Sequence, residues 1–243
     1  MNLSIDIGNT RAKLAVFQDD NIIDFIAFDT SELIKIIKKI ISKYTISASI
    51  IASVATISEK ISEELKKLLN PIYVTNQTKV PFINRYGTPK TLGVDRIALA
   101  AAAVKNYPKK NVLVIDAGTC ITFDFINHKK EYLGGAISLG IEMRYKALHT
   151  FTAKLPLLEP KEVDDFIGFN TNTSIHSGVV NGVCQEINGV INQYKKKYPD
   201  LTVVLTGGNT FFLAKQLKSG IFANPNFVLE GLHTVLTHNL TND

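Results

Sequence analysis

Two cysteines, Cys120 and Cys184, are the only thiols among the 243 residues, and they form no Cys-x-x-Cys pair. A disulfide framework is thereby excluded. Long apolar runs are lacking too. No stretch approaches the roughly 18 uninterrupted apolar residues of a membrane helix. The longest candidates are broken by Lys35, Lys38 and Lys39 or by the polar run from Asn170 to Ser174. The N-terminus carries no basic segment, and Asp6 stands where a signal peptide would have its apolar centre. The five histidines show no metal-ligand spacing with Cys, Asp or Glu. Gly87-Thr-Pro-Lys-Thr91 has proline where a P-loop needs glycine before the lysine. Ala136-Ile-Ser-Leu-Gly140 lacks the first glycine of a serine nucleophile elbow. A soluble, cytoplasmic protein with no membrane partner is expected.

Lys+Arg number 27 and Asp+Glu 22, a net charge of +5, with 45% apolar and 20% charged residues. That usage is ordinary for a globular chain and excludes a disordered one. The lysines alternate with apolar residues, as in Lys35-Ile-Ile-Lys-Lys-Ile-Ile41. Such spacing gives a helix one apolar and one wetted face, so the excess charge is expected on solvated faces, with no nucleic-acid partner. A positive field also suits an anionic small molecule such as a nucleotide.

The opening predicts strands at Asn2–Ile7, Arg11–Phe17 and Asn21–Phe28. A helix over Thr30–Tyr44, a strand at Ser47–Ser53, a helix over Ser58–Asn70 and a strand at Ile72–Thr75 follow. Strands alternating with helices predict an α/β domain. After an unperiodic segment from Thr78 to Leu92 comes an alanine-rich helix over Gly93–Tyr107. The pattern then restarts. Val112-Leu-Val-Ile-Asp-Ala-Gly-Thr119 echoes Leu3-Ser-Ile-Asp-Ile-Gly-Asn-Thr10, each an apolar strand ending in Asp-x-Gly and followed by a second strand, here Cys120–Ile126. A repeat this long indicates a duplicated domain, because solenoid repeats span ~20–50 residues. Helices at Leu139–Phe151 and Thr173–Tyr198, a strand at Leu201–Leu205, and helices at Asn209–Lys218 and Gly231–Asn239 complete the expectation, with a boundary near Pro108.

The chemistry concentrates in the repeated turn. In Asp6-Ile-Gly-Asn-Thr-Arg-Ala-Lys13, Gly8 lets backbone amides approach a phosphate without a Cβ clash. Thr10 adds a hydroxyl donor and Lys13 a point charge. Asp6, at a strand end, suits Mg²⁺ held through water. The same residues also make an ordinary β-turn, but the repetition at Asp116-Ala-Gly-Thr119 favours two phosphate cradles, expected to face each other across a cleft. Leu205-Thr-Gly-Gly-Asn209, with Gly207 and Gly208 between a strand and a helix, fits the adenosine end of a nucleotide or a plain βα turn.

In this order and at these intervals, the motifs resemble the type III pantothenate kinases. That family, also called the Bvg accessory factor family, belongs to the acetate kinase, sugar kinase, Hsp70 and actin superfamily. Asp6–Lys13 resembles the first phosphate motif and Asp116–Thr119 the second. Gly93-Val-Asp-Arg96 is similar to the Gly-x-Asp-Arg signature, with Tyr86 and Pro89 matching the run before it. Tyr132-Leu-Gly-Gly135, Gly168-Phe-Asn-Thr171 and Ser177-Gly178 resemble later segments. Cys120 departs from an expected small residue, and Leu139 from the usual proline before Gly140.

The resemblance implies duplicated RNase H-like domains of the actin/Hsp70 type, residues 1–108 and 109–243, each a mixed sheet with helices on both faces. It implies ATP-dependent phosphorylation of pantothenate to 4′-phosphopantothenate, the first step of coenzyme A biosynthesis. Asp95 is then the catalytic base. Asp6, Ile7, Gly8, Asn9, Thr10, Arg11, Ala12, Lys13, Gly118, Thr119, Gly207 and Gly208 hold ATP. Tyr86, Gly93, Val94, Asp95, Arg96 and Thr171 line the pantothenate pocket, Arg96 facing either the substrate carboxylate or the transferring phosphoryl. Asp116 takes a monovalent cation, K⁺ or NH₄⁺, while Mg²⁺ lies near Asp6. The pocket is shared in a homodimer, with the helices at Gly93–Tyr107 and Thr173–Tyr198 as the expected partner surface. The competing readings are a catalytically silent ATP-binding accessory protein, an RNase H-like nuclease using Asp6, Asp116 and Asp124, and another sugar or acid kinase of the same superfamily.

Overall fold

The computed structural model describes residues 1–8, 11–217 and 220–241. It separates into two compact units. The first comprises Met1–Pro108, Lys129–Tyr132 and Asn226–Asp243; the second comprises Lys109–His128 and Leu133–Pro225.

The first unit is built around β1 (Asn2–Ile7), which pairs antiparallel with β2 (Arg11–Gln18) and parallel with β4 (Ala48–Ser53). With β3 (Asn21–Asp29) and β5 (Ile72–Tyr73) the order is β3-β2-β1-β4-β5. Strand alternation sorts the side chains. Leu3, Ile5 and Ile7 stand opposite Val16, Leu14 and Ala12, and all of them join Leu33, Ile37 and Ile40 of α1 (Leu33–Lys43) and Leu65 of α2 (Glu59–Leu69) in one core. Ser4 and Asp6 therefore face the other side, where α3 (Val94–Asn106) and the final helix, α7 (Phe227–Thr241), pack.

The alanines of α3 explain how closely those two helices approach. Ala98 and Ala100 through Ala103 are fully buried. A Cβ placed on Gly231 of α7 would lie 1.9 Å from the carbonyl oxygen of Ala98. The helices thus meet backbone to backbone, which only small residues permit.

The second unit repeats the plan. β7 (Val112–Ala117) pairs antiparallel with β8 (Cys120–Ile126) and parallel with β10 (Thr202–Thr206), and β10 pairs parallel with β11 (Phe222–Ala223). The order is β11-β10-β7-β8-β9, where β9 is Glu131–Leu139, the same order as in the first unit read strand for strand. β6 (Ile83–Asn84) adds parallel to the first residues of β9, Glu131 and Tyr132. Ile175, Val179, Val183, Ile187 and Ile191, four apart along α5 (Thr171–Lys197), pack onto Leu113, Ile115, Phe123 and Phe125. α4 (Ile141–Thr150) adds Ile141 and Tyr145, and α6 (Thr210–Gln216) adds Leu213.

Several elements differ from expectation for identifiable reasons. The helix expected from Thr30 opens as a 3₁₀ turn over Thr30–Glu32, because the Asp29 carboxylate accepts the Ser31 N–H at 2.9 Å. α5 starts at Thr171 rather than Thr173, since Asn170 accepts the Thr173 N–H at 2.9 Å in a capping box. β9 was hidden by its paired glycines, and it runs through Leu139, where a helix was expected. A Cβ on Gly135 would fall 1.5 Å from the carbonyl oxygen of Phe123, so the glycine serves close strand approach. α7 begins earlier than Gly231 because Phe227, Val228 and Leu229 are all buried and show no polar face. It packs with the first unit, not with the sequence half that precedes it.

Gly231→Ala should destabilise the protein despite the ~1 kcal/mol gain in helix propensity. Overpacking of a close core contact typically costs about 1–3 kcal/mol. Gly189 of α5 is exposed, with nothing within 4 Å of a Cβ, so Gly189→Ala should stabilise by ~0.5–1 kcal/mol. Urea unfolding of both variants checks the contrast; equal effects would remove the close-approach account.

Candidate functional site

In the first unit the site is assembled at the end of β1. Asp6 stands directly opposite Lys13 on β2 and beside Ala52 on β4. The turn that follows closes with the Gly8 N–H donating to the Arg11 carbonyl at 3.0 Å. A Cβ on Gly8 would come within 2.9 Å of that oxygen. Asn9 and Thr10 lie outside the described residues. Ile7 and Ala12 are buried in the core, so only their backbone is available to a ligand, whereas Arg11 is exposed.

Asp95 reaches the same region from α3. Gly93 precedes the helix, and Asp95 in its first turn turns its carboxylate back to accept the Arg96 N–H at 2.8 Å. A Cβ on Gly93 would sit 2.4 Å from that carboxylate oxygen. Glycine is what leaves the carboxylate room. Burial pushes the Asp6 carboxyl up to about 6; Lys13 opposes the shift, and the negative charge of Asp95 adds to it. The two carboxylates are therefore electrostatic neighbours. Arg96 is buried, its guanidinium over the rings of Tyr86 at 5.6 Å and Tyr132 at 5.9 Å. Val94, the first residue of α3, is partly buried.

In the second unit three loops knit around the end of β7. Asp116 stands opposite Thr122 on β8 and Thr206 on β10. The Gly118 N–H donates to the Cys120 carbonyl at 3.0 Å, closing a turn one residue shorter than the first. The Gly140 N–H donates to the Thr119 carbonyl at 3.1 Å, and the Asn209 N–H donates to the Ala117 carbonyl at 2.9 Å. Gly207, with φ of +96°, has no room for a Cβ: it would lie 2.3 Å from an Asp116 carboxylate oxygen. Gly140 is equally constrained, 2.2 Å from the Thr119 carbonyl. Gly118, Thr119, Gly207 and Asp116 thus form one cluster, with Gly208 exposed beside it. The sequence offers no signal for Gly140, because the strand that precedes it is hidden by Gly134 and Gly135 and the helix is expected from Leu139.

Both aspartate sites offer only oxygen donors of hard character, which suits Mg²⁺ or an alkali cation rather than a soft metal. Among the described residues no three His, Cys, Asp or Glu side chains gather closely enough to hold a metal ion. A lone carboxylate fits a Mg²⁺ that keeps waters and substrate phosphates as its other ligands. It does not fit the carboxylate cluster of a nuclease. Asp124, the third member of that reading, is fully buried and accepts the Thr122 hydroxyl at 2.8 Å.

Thr171 belongs to the second unit. It is exposed at the start of α5 and lines an apolar groove of about 910 Å³ with Leu148, Phe151 and Ile175. α3 is buried from Arg96 to Val104 and is core within its own unit, not a free partner surface. No helix among the described residues is long and apolar enough to cross a membrane.

Residues 2–193 match the family described as type III pantothenate kinase. A type III pantothenate kinase of Flavobacterium johnsoniae is 47% identical over 244 residues, covering 100% of both chains. Among solved structures, a Baf family protein of Campylobacter jejuni superposes with a TM-score of 0.65 at 22% identity, covering 98% of this chain and 99% of that one. A glucokinase from an Antarctic psychrotroph superposes with a TM-score of 0.52 at 14% identity, covering 98% of each. The fold is that of the actin, Hsp70 and sugar kinase group: two mixed sheets with helices.

The raised Asp6 carboxyl makes a stability prediction for the ligand-free protein. The native state binds the proton more tightly than the unfolded chain, so stability falls as pH rises from about 4 to about 6 and the penalty is complete above that. Asp6→Asn removes the charge. It should stabilise the ligand-free protein at pH 7.5 by up to ~3 kcal/mol, and the gain should vanish below pH 4. Thermal unfolding of both proteins across that range checks it; a pH-independent difference would contradict the burial account.

Proposed function

The chain belongs to the type III pantothenate kinase family, and from that premise we propose that it transfers the γ-phosphoryl group of ATP to pantothenate, giving 4′-phosphopantothenate and ADP in the first step of coenzyme A biosynthesis. It is an enzyme, a phosphotransferase with an alcohol acceptor. What supports this assignment of roles is that Asp95, in the first turn of α3 behind Gly93, is near enough to Asp6 for its negative charge to add to the rise of the Asp6 carboxyl.

Phosphoryl transfer needs positioning and charge stabilisation more than covalent chemistry. Asp95 accepts the proton of the primary hydroxyl of pantothenate as its oxygen attacks the γ-phosphorus and the bond to ADP breaks. Gly93, Val94, Arg96, Tyr86 and Thr171 hold pantothenate, Arg96 offering a fork of donors to an anionic group. Gly8 with Asn9, Thr10, Arg11 and the backbone of Ile7 and Ala12 cradles phosphates, and Lys13 supplies a fixed positive charge. Gly118, Thr119, Gly207 and Gly208 hold the remainder of the nucleotide. Mg²⁺ near Asp6, bound through water, neutralises charge on the phosphates when present.

Asp116 takes K⁺ or NH₄⁺ in this reading. The support is a difference between the two turns: Asp6 has Lys13 across the ladder, whereas Asp116 has Thr122. The protein acts as a homodimer in which pantothenate is bound with help from the second copy. Phe151, Phe166 and Phe169, all more than three-quarters exposed in the single chain, support such a cover. A cytoplasmic location, without nucleic-acid or membrane partners, accompanies this function. Residues 1–108 and 109–243 are read as the duplicated halves.

Purified protein with ATP, Mg²⁺ and K⁺ should form ADP and 4′-phosphopantothenate in equal amounts; nucleotide binding without product would leave the silent accessory reading. Asp95→Asn keeps side-chain size but cannot take the proton, so turnover should fall ~10²–10⁴-fold with ATP affinity little changed. Near-normal turnover would remove Asp95 as the base. Asp116→Asn should weaken activation by K⁺ more than it weakens folding, and an unchanged K⁺ response would move the cation elsewhere.

A further inference from the structure

We infer that Arg144 and Glu142 of α4 are positioning residues for the nucleotide, bracing from two sides the turn at Gly118 and Thr119. The inference rests on the reading of that turn as a nucleotide cradle.

A turn holds a phosphate well only if its backbone is already in place when the ligand arrives. This one is two residues long, between β7 and β8, and closes with the Gly118 N–H on the Cys120 carbonyl. Gly140 seats it from the side. The Gly140 N–H donates to the Thr119 carbonyl at 3.1 Å, and a Cβ there would lie 2.2 Å from that oxygen and 2.3 Å from the Gly118 carbonyl oxygen. At such distances any displacement of Gly140 is passed to both residues of the turn.

Arg144 restrains that displacement. Helix side chains lean toward the N-terminus, so a residue one turn into α4 reaches back over the strand end that precedes the helix. Its Nε donates to the Leu139 carbonyl at 2.9 Å and its Nη2 to the Ser138 hydroxyl at 3.2 Å, the two residues before Gly140. The guanidinium is held in turn by the Glu186 carboxylate of α5, a charge-assisted bond between side chains only 21% and 29% exposed. Ile187, next to Glu186, is fully buried in the core of this unit, so the anchor is fixed. Near a helix N-terminus a cation is unfavourable to the dipole. The place of Arg144 is explained by the corner it holds, not by the helix it stands on.

Glu142 braces the opposite flank. Its carboxylate accepts a bond from Asn209 Nδ2 at 3.0 Å, and the Asn209 backbone N–H donates at 2.9 Å to the carbonyl of Ala117, immediately before Gly118. One helix of ten residues thus holds the segments on both sides of the turn.

Calorimetric titration of Mg·ADP into the full chain, with steady-state kinetics beside it, tests this. Thr119→Glu comes first, since Thr119 is exposed and the change sets a negative charge on the turn. If Mg·ADP affinity is unchanged, the cradle reading fails and the inference falls with it. With that affinity lost, Arg144→Met keeps the stem but removes the donors, and should raise the Kd for Mg·ADP roughly 3- to 30-fold. Glu142→Ala removes an exposed bond and should raise it about 2- to 5-fold. The KM for pantothenate should change little in both. An unchanged Kd in either folded variant overturns the proposal. Arg144 and Thr171 line the same groove, so a rise in pantothenate KM alone would make Arg144 a groove residue and overturns it too. A parallel rise of both constants, the mark of general loosening, does the same. If Arg144→Met does not fold, Glu142→Ala decides from its exposed position.

Discussion

A carboxylate held away from water is the constraint around which the first unit is arranged. Asp6 lies near the end of the central strand, on the face covered by α3 and α7, and burial is the main cause that raises its carboxyl to about 6. Ionised at neutral pH, such a group lacks full solvation, and its neighbours determine whether it is tolerated. Lys13, directly across the ladder, lowers the cost, and Asp95 at the start of α3 raises it again. The unit thus retains net negative tension at one point, which a bound cation would relieve. The glycines at 8 and 93 permit this crowding, since each leaves space that a side chain would fill with carbon.

The duplicated second unit keeps the frame and changes the charge. Both sheets run in the same strand order, with an Asp at the corresponding strand end, and both turns close with a glycine N–H on the carbonyl of the residue that opens the next strand. Yet Thr122 replaces the lysine, and the packing around Asp116 is made by backbone from three loops, with Gly207 and Gly140 at distances no side chain allows. One architecture thus carries two differently surrounded carboxylates: Asp6 with a lysine across the ladder, and Asp116 with a threonine there and Gly207 packed against it.

Much of this was legible in the sequence because the informative residues carry local physics. Asp-x-Gly after an apolar run, twice, gave the two hairpins and the duplication, and the alternation of Leu3, Ile5 and Ile7 gave the buried face. Capping was less legible: Asn170 and Asp29 shift their helix starts by side-chain bonds that periodicity does not register. Elements without a clear apolar and polar alternation were hardest. The start of α7 at Phe227 is buried throughout, β9 is interrupted by Gly134-Gly135 and leaves Leu133, Ile137 and Leu139 exposed, and the strand at Phe222 has only two residues, both exposed. Within the site, the backbone-only character of Ile7 and Ala12 depends on which way a strand residue faces once its neighbours are placed. A linear motif does not contain that information.

The return of α7 to the first unit has a consequence for biosynthesis. The sheet of that unit is complete by Tyr73, and α3 by Asn106, but the helix that covers β1 and seats against Ala98 is translated after the whole of the second unit's strands and helices. While the ribosome is still reading the middle of the message, the alanine face of α3 has no helix to close over it. The elements of the second unit, from β7 to β11, lie wholly upstream of α7 and emerge before it. The first unit is therefore sealed only after every strand and helix of the second unit has been made.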